Sequence, residues 1–383
     1  MVENKDIPEK EPYCFAPWIG LHITTGSNIN HHVQKERNKN HIYSAPCCAW
    51  QGKFYNGPIE ELYGEYWKKI KQNMLNYDIE SLKESCIECI MREKSGLESD
   101  REHITKKVKS STYFPGELNW LDYRPNNTCN LRCRMCSAEN SSLVAKDENI
   151  EIPISKDDDI YKLNFSKLKI LKILGGEPTI QKEAYDFIKY VSENCDTNEI
   201  TLQYTSNMAV CNDKWLNLLK NFKNVYCEMS IDGTGKVFEY MRQGSKWKIV
   251  EKNINKLYYF SKNNSFQDFK LKFHITVGAI LMVTVEDWLP WFIENSHIDA
   301  DFYPIGGIKG GPISILENKD KEKIKNYLKN IDHIYAKHLL SLLYAEDFSS
   351  KILGEFKKVN TVKDKLYNTD INQFNQIKEL NWF

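Results

Sequence analysis

At 383 residues the chain is long enough to bury a substantial core in two or three domains, and its 41% hydrophobic and 27% charged content is ordinary for a folded globular protein. Its 52 basic and 52 acidic residues give a formal net charge of zero, so there is no global positive field for nucleic acid or an anionic membrane. The opening MVENKDIPEKEPY lacks the apolar core of a secretory signal. The longest apolar run, Val277 to Val285, is too short to span a bilayer and reads as a buried strand. We therefore expect a cytoplasmic protein with no membrane partner, in which 11 cysteines point to metal or catalysis rather than disulfides.

In chain order, residues 1–112 are irregular and rich in cysteine: Cys14, Cys47, Cys48, Cys86 and Cys89 all fall there. A short strand is expected at Ile19–Thr25, then a polar stretch from Gly26 to Tyr43. A helix is expected over Pro58–Leu75, since proline suits a first turn and apolar residues then recur at helical spacing. So few apolar elements for the length imply a staple other than packing. Residues 113–316 alternate strands with helices. Strands are expected at Leu118–Tyr123, Ile170–Leu174, Ile200–Tyr204, Val225–Ile231, Leu271–Ala279 and Ala300–Tyr303. Helices are expected at Gln181–Glu193, Asp213–Asn221, Lys246–Tyr259 and Val285–Glu294. That alternation predicts an α/β fold, a parallel sheet or partial (β/α)6 barrel, with ligands at the carboxyl ends of the strands. Residues 317–383 read as a charged helical tail, clearest over Lys321–Leu343, to which we assign no chemistry.

The strongest chemical signal is Cys129-Asn-Leu-Arg-Cys133-Arg-Met-Cys136, a C-x3-C-x2-C loop after a strand. Structural zinc takes four ligands in a closed site, and neither a histidine nor a fourth cysteine lies near in sequence. Three clustered thiolates suit an iron–sulfur cubane with one iron left open. Leu174-Gly175-Gly176-Glu177-Pro178 ends the second barrel strand, where glycines admit close backbone approach and Glu177 offers a carboxylate to an ammonium. Thr205-Ser206-Asn207 and Ser230-Ile231-Asp232-Gly233 end the next two, and such short polar groups suit either a ligand or turn and cap chemistry. Cys86-Ile-Glu-Cys89 has a common metal-ligand spacing, and with Cys14 and one of Cys47 or Cys48 could complete a four-cysteine site for iron–sulfur or zinc. Cys195, Cys211 and Cys227 read as small core residues. Cys211, four residues past Asn207, is also a candidate hydrogen-atom donor. His274, on an apolar strand, reads as a core histidine.

The CNLRCRMC and GGEP motifs resemble those of the radical S-adenosylmethionine (SAM) superfamily, whose fold is a partial α/β barrel. That resemblance implies a 4Fe–4S cluster on Cys129, Cys133 and Cys136, with S-adenosylmethionine on its open iron. Met135 stands where the family usually has an aromatic residue, near the adenine. Gly175, Gly176, Glu177 and Pro178 would hold the methionine amino group, Ser206, Asn207, Ser230 and Asp232 would contact the cofactor, and Arg242 would meet the methionine carboxylate. Thr276 and Val277 would line the adenine pocket. The run CFAPW, GLHI, PCC and CxxC, followed by Glu93, Gly96, Ser99 and Arg101, resembles a twitch-type auxiliary domain placed before the barrel. It implies a second 4Fe–4S cluster on Cys14, Cys86, Cys89 and either Cys47, which we prefer, or Cys48. The auxiliary cluster would accept an electron from substrate or bind it.

The implied chemistry is reductive cleavage to a 5′-deoxyadenosyl radical, with flavodoxin or ferredoxin as electron donor. Peptide or protein oxidation, crosslinking or epimerisation ranks first as the outcome. Dehydrogenation of a small sugar-like or natural-product intermediate is the alternative. Nucleic-acid modification is disfavoured by the neutral charge, and a zinc-binding scaffold without catalysis is the rival from another class.

Overall fold

Strand side chains alternate between two faces, and in this protein one face is apolar and the other polar. The computed structural model describes residues 2–24, 42–94, 98–152, 158–305, 307–343 and 347–380. The expected Thr25, the stretch 26–41 and Gly96 lie outside them. In chain order the strands are β1 Gly20–Thr24, β2 Ile42–Ala45, β3 Tyr55–Gly57, β4 Trp120–Arg124, β5 Arg132–Cys133, β6 Ile170–Ile173, β7 Thr201–Ser206, β8 Asn224–Ser230, β9 Arg242–Gln243, β10 Asp268–Val277 and β11 Asp299–Pro304. On β7 and β8, Leu202, Tyr204, Val225, Cys227 and Met229 are buried in the main core. The alternate residues Gln203, Thr205, Tyr226, Glu228 and Ser230 are only half-buried.

Nine strands form one sheet in the order β11-β10-β8-β7-β6-β4-β1-β2-β3. β4, β6, β7, β8, β10 and β11 pair in parallel, as a (β/α)6 half-barrel requires. All six strands expected from the sequence are present, within a few residues at their ends. β1 adds to the same sheet, parallel to β4, and β2 and β3 follow antiparallel. The cysteine-rich segment thus extends the barrel sheet, while keeping its own small core around Trp18, Trp50, Ile70 and Ile104.

The helices that close the βα units do so through apolar stripes. Lys182–Asn194 buries Ala184, Phe187, Ile188 and Val191, and Trp247–Lys262 buries Val250, Ile254 and Leu257. Asp213–Leu219 is capped by the Asn212 side chain, which accepts from the Trp215 amide.

Four expectations are corrected. The Pro58–Leu75 helix is a short 3-10 turn, Ile59–Glu61, and a separate helix, Glu65–Leu75, divided at Gly64. The Val277–Val285 run is a strand end followed by the buried helix Ala279–Val283; an apolar run alone does not distinguish the two. Lys321–Leu343 is two helices, Asn318–Lys329 and Ile334–Leu343. The polar stretch ends before Tyr43, which lies buried in β2. Among the described residues no helix is long and apolar enough to cross a membrane.

Candidate active site

The loop after β4 is built to turn back on itself. Asn126 Oδ1 accepts the Thr128 amide, Asn127 Nδ2 donates to the Ala138 carbonyl, and Ser141 Oγ donates to that of Leu131. β5, within the loop, pairs with β9. Gln181 Nε2 lies 2.8–3.1 Å from the carbonyls of Asn126, Thr128 and Gly175, tying the loop to the end of β6. The approach is close: a Cβ on Gly176 would lie 2.1 Å from the Thr128 carbonyl oxygen, and Gly175 and Gly176 have φ of +85° and +49°. Only glycine meets both conditions there.

This arrangement brings Cys129, Cys133 and Cys136 to one open cavity of roughly 420 Å³. Burial pushes the Cys129 and Cys136 thiols up to about 12, and raises Cys133 despite the opposing Arg242. Three thiols that resist ionisation, Cys133 buried and Cys129 and Cys136 half-buried, fit a cationic cluster, which would supply the compensating charge. A single ion needs its ligands converging on a point. Among the described residues no group of three or more His, Cys, Asp or Glu does so. A cubane takes one thiolate per iron, so its ligands stand around a space.

Of the other expected contacts, Met135, Gly175, Gly176, Glu177, Ser206, Asn207, Ser230, Arg242 and Thr276 also line this cavity. Pro178, Asp232 and Val277 do not; Pro178 opens a buried 3-10 turn and Val277 belongs to the main core. Glu177 is 1% exposed, and its carboxylate accepts from the Thr179 hydroxyl (2.6 Å), the Ser206 hydroxyl (2.9 Å) and the Asn207 amide (2.7 Å). These contacts join β6 to β7 at the wall of the cavity. Asn207 reaches back to the cysteine loop, donating to Asn130 Oδ1 at 2.8 Å. Arg242 forms a buried 2.7 Å ion pair with Asp232 and stands 3.8 Å from Cys133 Sγ. Its Nε is buried without a hydrogen-bond partner, so one donor remains for a bound carboxylate.

Cys211 lies outside the cavity, packed against the core, with its carbonyl taken by Lys256. Cys227 is buried in the core as expected, and Cys195 is half-buried against it. Three lining residues were missed: Arg124, Asn140 and His274. Arg124 ends β4, so the strand-end rule could have found it. His274 is paired in register with Ser230 and shares a face with Thr276, and its ring stacks on Tyr303 at 4.5 Å. Burial lowers its pKa.

The amino-terminal cysteines meet at a second, much smaller cavity, lined by Cys14, Cys47, Cys86 and Cys89. Cys48 instead faces a neighbouring space with Asp122, and its Sγ is 4.0 Å from Asp100. Burial pushes Cys14 and Cys86 up to about 12 and raises Cys47 and Cys89. Glu93, Ser99 and Arg101 frame this site: Arg101 forks onto Glu93 at 2.9 and 2.7 Å, and the Ser99 hydroxyl donates to Glu93. The same guanidinium lies 4.7 Å from the Tyr13 ring, next to Cys14.

The two sites stand toward opposite ends of the parallel strands. Arg124, at the end of β4, lines the first; Trp120 and Asp122, earlier on it, line the space beside Cys47 and Cys48. His22 and Asp122 pair at 3.0 Å in between. Burial alone would raise the Asp122 carboxyl, but His22, Arg124 and Lys172 hold it below the usual range.

Residues 123–263 match a family model described as the Radical SAM superfamily. No curated protein matches. The chain is similar to the solved structure of native anSMEcpe with bound AdoMet, at 17% identity and TM-score 0.41, over 57% of this chain and 61% of that one. It is also similar to Streptococcus suis SuiB bound to S-adenosylmethionine (16%, TM-score 0.35, 81% and 68%) and to SuiB bound to precursor peptide SuiA (16%, TM-score 0.37, 76% and 67%). The chain spans about three-fifths of the length of the anSMEcpe structure.

Proposed function

We propose, from the match of residues 123–263 to the Radical SAM superfamily model together with the site they form, that this chain is a radical SAM enzyme that reductively cleaves S-adenosylmethionine and abstracts hydrogen from a peptide or protein. The observation that carries the reading is the single cavity shared by Cys129, Cys133 and Cys136 beneath the Gly175–Gly176 turn. When bound there, a 4Fe–4S cluster supplies the electron that splits the cofactor into methionine and a 5′-deoxyadenosyl radical.

The chain's own residues bind and orient. Gln181 and Asn207 fix the cysteine loop against β6 and β7, and Gly175 and Gly176 let the cofactor approach the backbone. Arg242, paired with Asp232, keeps its buried Nε for the methionine carboxylate. Ser230 and Thr276 offer hydroxyls along the wall, Ser206 braces Glu177 behind it, and Met135 gives an apolar surface for the adenine. Arg124, ion-paired with Asp122, and His274 complete the lining on the substrate side. At roughly 420 Å³ the cavity falls within the usual range of about 300–1,000 Å³ for a small-molecule site, as a site for S-adenosylmethionine needs.

In this division of labour residues 1–112 form the auxiliary domain, 113–316 the barrel and 317–383 the helical region. Cys14, Cys47, Cys86 and Cys89 would hold a second 4Fe–4S cluster, and flavodoxin or ferredoxin would be the electron donor. The test is anaerobic reconstitution with iron and sulfide, then dithionite and S-adenosylmethionine. A brown protein that releases 5′-deoxyadenosine is expected; a colourless zinc protein, or an iron-loaded one that leaves the cofactor whole, refutes the proposal.

A further inference from the structure

The helical tail runs back to the cysteine loop. Arg134, between Cys133 and Cys136, is 0% exposed. Its Nε donates to the Tyr240 carbonyl at 2.9 Å and its Nη1 to Asn360 Oδ1 at 2.8 Å; Nη2 pairs with Asp364 and reaches the Thr369 hydroxyl. The guanidinium stands 3.6 Å over the Tyr240 ring. Asn360 and Asp364 belong to the helix Ser350–Tyr367. From the same helix Lys363, itself buried, donates its Nζ to the Arg134 carbonyl, while the Arg134 amide donates to the Met241 carbonyl at 2.9 Å. The backbone N–H and C=O of Arg134, between two cysteines, are thus both held.

A buried guanidinium is stable only when paired and hydrogen-bonded. Asp364 is as fully engaged as Arg134, accepting also from the Tyr240 hydroxyl (3.1 Å), the Thr369 hydroxyl (2.9 Å) and the Ile371 amide (2.9 Å). Such a saturated pair admits few other geometries. None of Asn360, Lys363 and Asp364 lines the cavity; they act through Arg134.

We propose that the Ser350–Tyr367 helix positions the cysteine loop, Asn360, Lys363 and Asp364 fixing the peptide between Cys133 and Cys136 so that both sulfurs face the cavity. The proposal deepens the reading above and depends on those cysteines being cluster ligands. Its test compares wild type, Lys363→Met, Asp364→Asn and the conservative Lys363→Arg in the full, reconstituted chain. Iron release to a chelator, the electron paramagnetic resonance signal with and without S-adenosylmethionine, and the melting temperature are read together.

Expected is release of iron from the Cys129, Cys133 and Cys136 site faster by about 10- to 100-fold. The cofactor-dependent signal should be altered in the first two variants and retained in Lys363→Arg. A lower melting temperature with unchanged release and signal overturns the proposal. Lys363→Met removes one hydrogen bond and one buried charge and leaves the Arg134–Asp364 pair intact, so it reports even if Asp364→Asn does not fold. A wild type that holds no iron at that loop refutes instead the ligand reading.

Discussion

A buried thiol with no cation beside it stays protonated, so which cysteines bind iron depends on what each one faces. Cys47 and Cys48 are adjacent in sequence, yet Cys47 lines the four-cysteine cavity and Cys48 turns toward Asp100. Cys47→Ala should remove the auxiliary iron, and Cys48→Ala should leave the iron content unchanged, as chemical iron analysis will tell. Gly176→Ala should cost on the order of 1–3 kcal/mol through its positive φ, with further loss from the collision with the Thr128 carbonyl; denaturant midpoints measure it. Cys211→Ala should not change 5′-deoxyadenosine formation, since Cys211 lies outside the cavity. The cysteine triplet and the glycine pair could be read from sequence because both depend on local spacing. The work of Glu177 could not, because its partners Ser206 and Asn207 lie on another strand.

At the scale of elements, periodicity located every strand of the half-barrel and misjudged the short breaks between elements. Nothing in KIKNYLKNIDHIYAKHLL forbids one helix, yet the chain divides between Lys329 and Ile334. Nor does GLHIT announce that β1 will lie against β4, placing His22 beside Asp122. That pairing makes a pH prediction. The folded pKa of Asp122 is depressed, so its contribution is present above the unfolded value of about 3.9 and is lost as pH falls below it. Asp122→Asn should therefore destabilise the chain more at pH 7 than at pH 3, as denaturant midpoints of the metal-free protein will show; equal losses at both would refute it.

Across the whole molecule, two groups of cysteines line separate cavities toward different ends of one sheet. Removing Cys14 and Cys86 together should eliminate the auxiliary cluster while cofactor cleavage at the other site persists, read as iron content against 5′-deoxyadenosine. Because clusters bind only the folded chain, stripping the iron should lower the melting temperature.

The sequence alone determined the chemistry on offer and the repeating α/β pattern, since thiolate spacing, glycine turns and apolar periodicity act over a few residues. Tertiary structure decided which groups meet. It set Cys47 rather than Cys48 in the wall of the four-cysteine cavity, engaged Glu177 with Ser206 and Asn207, opened the cavity to Arg124 and His274, and brought Asp364 across 230 positions to Arg134. Those outcomes depend on packing between distant strands and helices, which no local pattern encodes.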